Sequence, residues 1–72
     1  MRKPRRALTA RELDVLRLVC KGLSARQIAA ALGISPYTVA AHRENMKKAT
    51  GTHKTAALVA HALENGLIRL RS

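Results

Sequence analysis

The sequence predicts an all-α domain of four helices, and three observations carry that prediction. Apolar residues recur at helical spacing, with no strand pattern, internal repeat or low-complexity tract between them. Thr9, Ser24 and Ser35 each stand just before such a segment, where a side-chain oxygen can accept an orphan N–H of the first turn. Glycines at 22, 33, 51 and 66 each stand just beyond one, where a left-handed residue commonly ends a helix. With 72 residues the chain has room for one small core, near the lower limit for independent folding.

Thr9 with Glu12 forms a capping box, and Leu8 before it supplies the apolar half of a staple. The first helix then runs from about Ala10 to Lys21. Leu13, Val15, Leu16, Leu18, Val19 and Cys20 are too many apolar positions for one narrow stripe, so this helix lies centrally and is contacted on two sides. Lys21 suits the negative end of the dipole, and Gly22 ends the helix. Ser24 with Gln27 makes a second capping box, opening a helix at Ala25 on which Ile28 and Leu32 share a stripe. Gly33 stops it. Ser35 caps a third helix that begins at Pro36, where a missing N–H costs nothing, and continues to about Thr50 before Gly51. Helices joined by so short a turn cross steeply. The small Ala29 permits their approach, and Ile34 and Val39 fill the angle. This is a helix-turn-helix. A last helix runs from about Lys54 or Thr55 to Asn65, after which Gly66 lets Leu67 and Ile68 fold back onto the core.

Charge narrows the partner. Fourteen Lys and Arg against four acids give a formal net charge of +10, which implies a polyanion. Tyr37 is the only aromatic residue, too few for the stacked bases by which single-stranded nucleic acid is gripped. A helix-turn-helix on so basic a chain points to double-stranded DNA, with the helix from Pro36 in the major groove. Residues 1–7, with Arg2, Lys3, Arg5 and Arg6 around Pro4, are expected to be a disordered basic arm before a domain over 8–72. Such an arm can follow the DNA or enter a minor groove, and serves equally as a linker or a solubilising tail. No apolar run is long enough to span a membrane, and no signal-peptide core follows the basic start. The one cysteine, Cys20, is expected to be a buried thiol in a reducing cytoplasm.

Successive residues on the third helix advance by 100°, which sorts its faces. Val39, Met46 and Thr50 form the inner line, with Arg43 at its flank. Tyr37, Ala40, Ala41, Glu44 and Lys48 face outward. Alanines let a helix backbone lie deep in a groove, and their methyls can meet a thymine methyl. Ala40, Ala41 and Glu44 are therefore the candidate base readers; Glu44 either accepts from cytosine N4 or faces solvent and disfavours wrong sequences. Ser24, Arg26, Tyr37, Thr38, Arg43, Lys47 and Lys48 are the candidate phosphate contacts, helped at Ser24 by the N–H groups of that helix start. His42 is expected to pack or hydrogen-bond at the edge of the helix pair.

On the last helix, Leu58 and Ala62 make a stripe that the core can absorb. Ala56, Val59, Ala60 and Leu63 make another, which so small a domain cannot also bury. It is expected to face a copy of itself, giving a two-fold dimer on a two-fold DNA site. His42, His53 and His61 do not have the spacing of a zinc module, and no second cysteine exists. No nucleophile–base pair, phosphate loop or carboxylate pair appears. Neither an enzyme, a metal, a cofactor nor a small-molecule ligand is expected in this domain.

Several blocks together resemble the LuxR-type (GerE-type) helix-turn-helix domain of bacterial transcription regulators. They are Leu8-Thr9-x-Arg11-Glu12-x-x-Val15-Leu16, Gly22-x-Ser24, Ile28-Ala29-x-x-Leu32-x-Ile34-Ser35, Thr38-Val39-x-x-His42-x-x-Asn45-Met46 and Gly66-Leu67-Ile68. The resemblance implies four helices, a third that reads the major groove through Ala40, Ala41 and Glu44, and a fourth that commonly mediates dimerisation. Members often carry lysine at position 40 and sometimes at 44, so the base preference here departs from theirs. Aliphatic residues are more usual at 50 and 52, so Thr50 and Thr52 imply a looser junction before the last helix. Members usually carry an N-terminal sensory or phosphoacceptor domain, absent from this sequence, which is either a stand-alone regulator or the effector end of a longer one.

The expected function is that of a sequence-specific, cytoplasmic DNA-binding regulator acting as a homodimer, with RNA polymerase as a further partner. Its rivals are an adaptor that engages polymerase or a sensory module with DNA contact secondary, and a basic RNA-binding accessory protein.

Overall fold

The computed structural model describes residues 6–69 and shows an all-α domain with no strand among them. Its helices are α1 (Ala10–Cys20), α2 (Ala25–Leu32), α3 (Pro36–Thr50) and α4 (Thr55–Glu64). The expected last residues of α1 and α4 are their caps. The Lys21 amide points back at the carbonyls of Arg17, Leu18 and Val19, and that of Asn65 at His61 and Leu63. Both capping boxes form in full, at Thr9/Glu12 and Ser24/Gln27. The turn inside the helix pair depends on Gly33, whose φ of 68° is left-handed. A side chain there would touch nothing within 4 Å, so the barrier to replacing it is backbone strain alone.

α1 and α3 touch each other, and each touches both α2 and α4, whereas α2 and α4 do not meet. Between them lies the core: Val15 and Leu16 of α1, Ile28 and Ala29 of α2, Val39 and Met46 of α3, Leu58 and Ala62 of α4, closed by Ile68. Ala29 is buried in the core and Ile34 is half-buried against it. Leu67 N–H reaches back to the Ala62 carbonyl at 2.8 Å, which folds the last described residues under α4. Cys20 departs from expectation. It lies at the last turn of α1, where its thiol is only half-buried, and that burial pushes its pKa up.

Thr50 is buried without an orphaned hydroxyl. It donates to the Met46 carbonyl at 2.8 Å, and Thr52 Oγ1 lies 2.9 Å from it as the donor of a second bond. Thr50 also lines a groove of about 310 Å³ with Leu8, Leu13, His61 and Leu67.

The boundary of the leading segment needs correction. Residues 1–5 lie outside the described residues, but Arg6, placed by its neighbours in the basic arm, belongs to the folded domain. Its guanidinium grips Glu12 with both ends, Nη1 to Oε1 at 2.7 Å and Nη2 to Oε2 at 2.8 Å, and Nη2 also reaches the Asn45 carbonyl of α3 at 3.4 Å. Glu12 is 3% exposed and accepts the Thr9 N–H as well. A carboxylate this enclosed needs a cation, and Arg6 is the one that arrives. Arg6 chiefly, with the Thr9 amide, draws the Glu12 pKa down from 4.5 to about 2.

Candidate nucleic-acid interface

The outward face of α3 is set by how the helix begins and what it buries. Ser35 Oγ accepts the Thr38 N–H at 3.1 Å, fixing the first turn on Pro36. Val39, Met46, Ala49 and Thr50 then anchor the inner line, which includes the three residues expected there and adds Ala49. The opposite face is thereby committed to solvent. Tyr37 is 88% exposed, and Ala40, Ala41, Glu44 and Lys48 are all exposed. These five residues form one surface.

Of the candidate phosphate contacts, Tyr37 and Lys48 are on this surface and the rest lie beside it. On one flank is Thr38, exposed like Arg26 and Ser24 at the start of α2. Thr38 Oγ1 is 3.0 Å from Ser35 Oγ, so the two hydroxyls share a hydrogen bond. Ser24 is less available than its position suggests. Its N–H donates to Gln27 Oε1 at 2.8 Å and its Oγ accepts from Gln27 N–H at 3.2 Å. The box leaves the Ala25 and Arg26 amides as the orphan donors of that turn. His42 is half-buried on α3.

The other flank carries Arg43 and Lys47, both half-buried. Lys47 Nζ lies 2.7 Å from Glu44 Oε2 and holds that carboxyl below the usual carboxylate range by hydrogen bond and charge. Glu44 is therefore ionised and acceptor-only, with a cation beside it that offsets the repulsion a phosphate backbone would exert. Arg43 turns toward α4, its Nη2 donating to Thr55 Oγ1 at 2.8 Å. Neither this bond nor the Arg6 grip on Glu12 was visible in sequence. Each joins residues on different segments, and no local spacing signals such a pair.

Three of the four acids are paired with cations: Glu12 with Arg6, Asp14 with Arg17 and Glu44 with Lys47. The second stripe of α4 is also open. Ala56 and Ala60 are exposed, Val59 is half-buried, and Leu63 is 37% exposed, while Leu58 and Ala62 on the other side are sealed. Among the described residues no group of three His, Cys, Asp or Glu is placed to hold a metal, and no helix is long and apolar enough to cross a membrane.

Comparison with known proteins agrees with this architecture. The chain is 44% identical over 61 residues to the transcriptional regulatory protein MctR of Rhizobium johnstonii, a match covering 85% of the chain and 28% of MctR. It is 37% identical over 70 residues to the transcriptional regulatory protein DegU of Brevibacillus brevis, covering 97% of the chain and 30% of DegU. It thus spans less than a third of these curated relatives. Among solved structures it superimposes on the transcription factor GerE with a TM-score of 0.80 at 29% identity, covering 85% of the chain and 92% of GerE. It matches the response regulator ChrA of a heme-sensing two-component system with a TM-score of 0.83 at 41% identity, over 92% of the chain and 33% of ChrA. Residues 6–62, which include the capping boxes, the helix pair and the outward face of α3, match the luxR family of bacterial regulatory proteins, and the chain belongs to that family.

Proposed function

We propose that the chain binds double-stranded DNA sequence-specifically as a bacterial transcription regulator in the cytoplasm, with α3 in the major groove and α4 pairing two copies. The observation that carries this reading is the exposed strip Tyr37, Ala40, Ala41, Glu44 and Lys48 on a helix whose opposite line is wholly buried. Two adjacent alanines let the α3 backbone approach the floor of the groove. Their methyls meet thymine methyls, and ionised Glu44 accepts from cytosine N4. Lys48, Lys47, Arg26 and the hydroxyls of Ser24, Tyr37 and Thr38 meet phosphates on both sides, fixing depth and register without reading sequence. Arg43 keeps donors beyond the one given to Thr55 and serves the same backbone.

The open stripe of α4 supports pairing. Ala56, Val59, Ala60 and Leu63 repeat at one-turn spacing with no charged side chain among them and Glu64 at their edge, so two such faces can close around a two-fold axis. A duplex selected by the chain from a randomised library tests the whole proposal by fluorescence anisotropy over a series of salt concentrations. The expected result is a linear fall of log affinity against log salt, by about 0.9 for each phosphate-neutralising cation, with the selected sequence favoured at every salt. Equal affinity for selected and scrambled duplexes would remove the groove-reading role.

A further inference from the structure

Three of the four helices begin on a side-chain cap, supplied by Thr9, Ser24 and Ser35. α4 does not: its N-cap is Lys54, which makes no side-chain hydrogen bond to the helix. Instead the hydroxyl of its first residue, Thr55, accepts from Arg43 of α3 at 2.8 Å. Among the described residues this is the one side-chain hydrogen bond between α3 and α4. Both helices also feed the shared apolar core, α3 through Val39 and Met46 and α4 through Leu58 and Ala62. Apolar burial is non-directional, so it holds two helices together while leaving small rotations about the contact cheap. A hydrogen bond is directional in distance and angle. Arg43 also leaves the side of the very helix proposed to enter the groove, one turn from Lys47 and beside Ala40 on the helical net.

We infer that Arg43 is a positioning residue: its bond to Thr55 sets the angle between α3 and α4, and so the separation of the two α3 helices in a paired regulator. This rests on the proposed pairing through α4. In a two-fold complex whose half-sites lie about 34 Å apart, each α3 stands about 17 Å from the axis. The angle between α3 and α4 sets where and in what orientation each α3 meets the duplex. One added base pair moves a half-site by about 3.4 Å and turns it about the duplex axis, so a fixed angle fits one spacing better than its neighbours. The Arg43–Thr55 bond therefore selects half-site spacing, while the outward face of α3 selects half-site sequence.

The experiment takes the half-site that the wild-type chain selects from a randomised duplex library. It is built as inverted repeats whose spacing changes one base pair at a time, and as a single copy. Thr55→Val removes the hydroxyl at nearly constant shape, and Thr55→Ser keeps it. Wild type and Thr55→Ser are expected to favour the best spacing about tenfold over its neighbours. Thr55→Val is expected to flatten that preference to about twofold while its single half-site affinity matches wild type. In an Arg43→Met background, Thr55→Val is expected to flatten nothing further. A preference as steep in Thr55→Val as in wild type overturns the inference and leaves pairing intact. So does a parallel loss of single half-site affinity in Thr55→Val and Thr55→Ser, which would mark Thr55 as structural only. A wild type indifferent to spacing overturns the pairing itself, and the inference with it.

Discussion

The outward faces of α3 and α4 are built from the same small residue and are both exposed, yet they suit opposite partners. On α3, Ala40 and Ala41 lie between Tyr37, Glu44 and Lys48, with Arg26, Arg43 and Lys47 at the edges. On α4, Ala56 and Ala60 lie with Val59 and Leu63, and no charge interrupts them. Alanine in both cases only lets something approach closely. What approaches is decided by the rim: cations flanking a trimmed face suit a polyanion, whereas aliphatic neighbours suit another apolar surface. A stripe of small residues is thus uninformative until its borders are read.

The comparison breaks most sharply at Ala41. Replacing it with glutamate puts length and negative charge where the groove floor would lie. Affinity for the selected duplex should fall at least a hundredfold, about 3 kcal/mol, to the level of random sequence, while self-association is unchanged. Anisotropy and sedimentation equilibrium read the two effects separately. The converse test is Leu63→Glu on α4, which sets like charges opposite each other across the two-fold axis. Self-association should weaken about tenfold or more with single half-site affinity preserved. If Leu63→Glu instead removed half-site binding and spared association, the assignment of the faces would be reversed.

Both faces ride on one scaffold, and Glu12 tests that shared support. Its folded pKa is depressed to about 2 from 4.5, so the folded state binds the proton less readily than the unfolded chain. The resulting stability is fully present above about pH 5 and is lost as pH falls through 4.5 toward 2. Thermal melts across that range should show Glu12→Gln about 1–2 kcal/mol less stable than wild type at pH 7, solvent access to Arg6 tempering the loss, with the gap closing in acid. The smallest expected change is at Lys48. Alanine there should lower affinity a few-fold for every duplex alike and reduce the salt slope by about 1, in the same anisotropy series.

Helix positions were legible because each signal was local. Thr9/Glu12, Ser24/Gln27 and Ser35-Pro36 declare starts within four residues, and the glycines declare stops, so the ends come out within a residue of the observed ones. The sorting of α3 into Val39, Met46 and Thr50 inside and Ala40, Ala41 and Lys48 outside followed from helix geometry alone. Glu12 shows where local reading stops. It was legible as a cap but not as an enclosed acid, because its partner Arg6 sits in a run of basic residues with nothing to single it out. The Arg43–Thr55 bond was illegible for a related reason. Flank geometry sent Arg43 toward the α3 surface, and only the folded chain shows α4 arriving with a hydroxyl. The Glu44–Lys47 pair was within reach, since its i,i+3 spacing is a local signal.

α2 and α4 never touch, each leaning on α1 and α3 from its own side. Substitutions that remodel the α4 surface therefore need no compensating change in the short helix that braces α3 from the other side. The surfaces of these two outer helices can vary independently, each sensing the other only through α1 and α3.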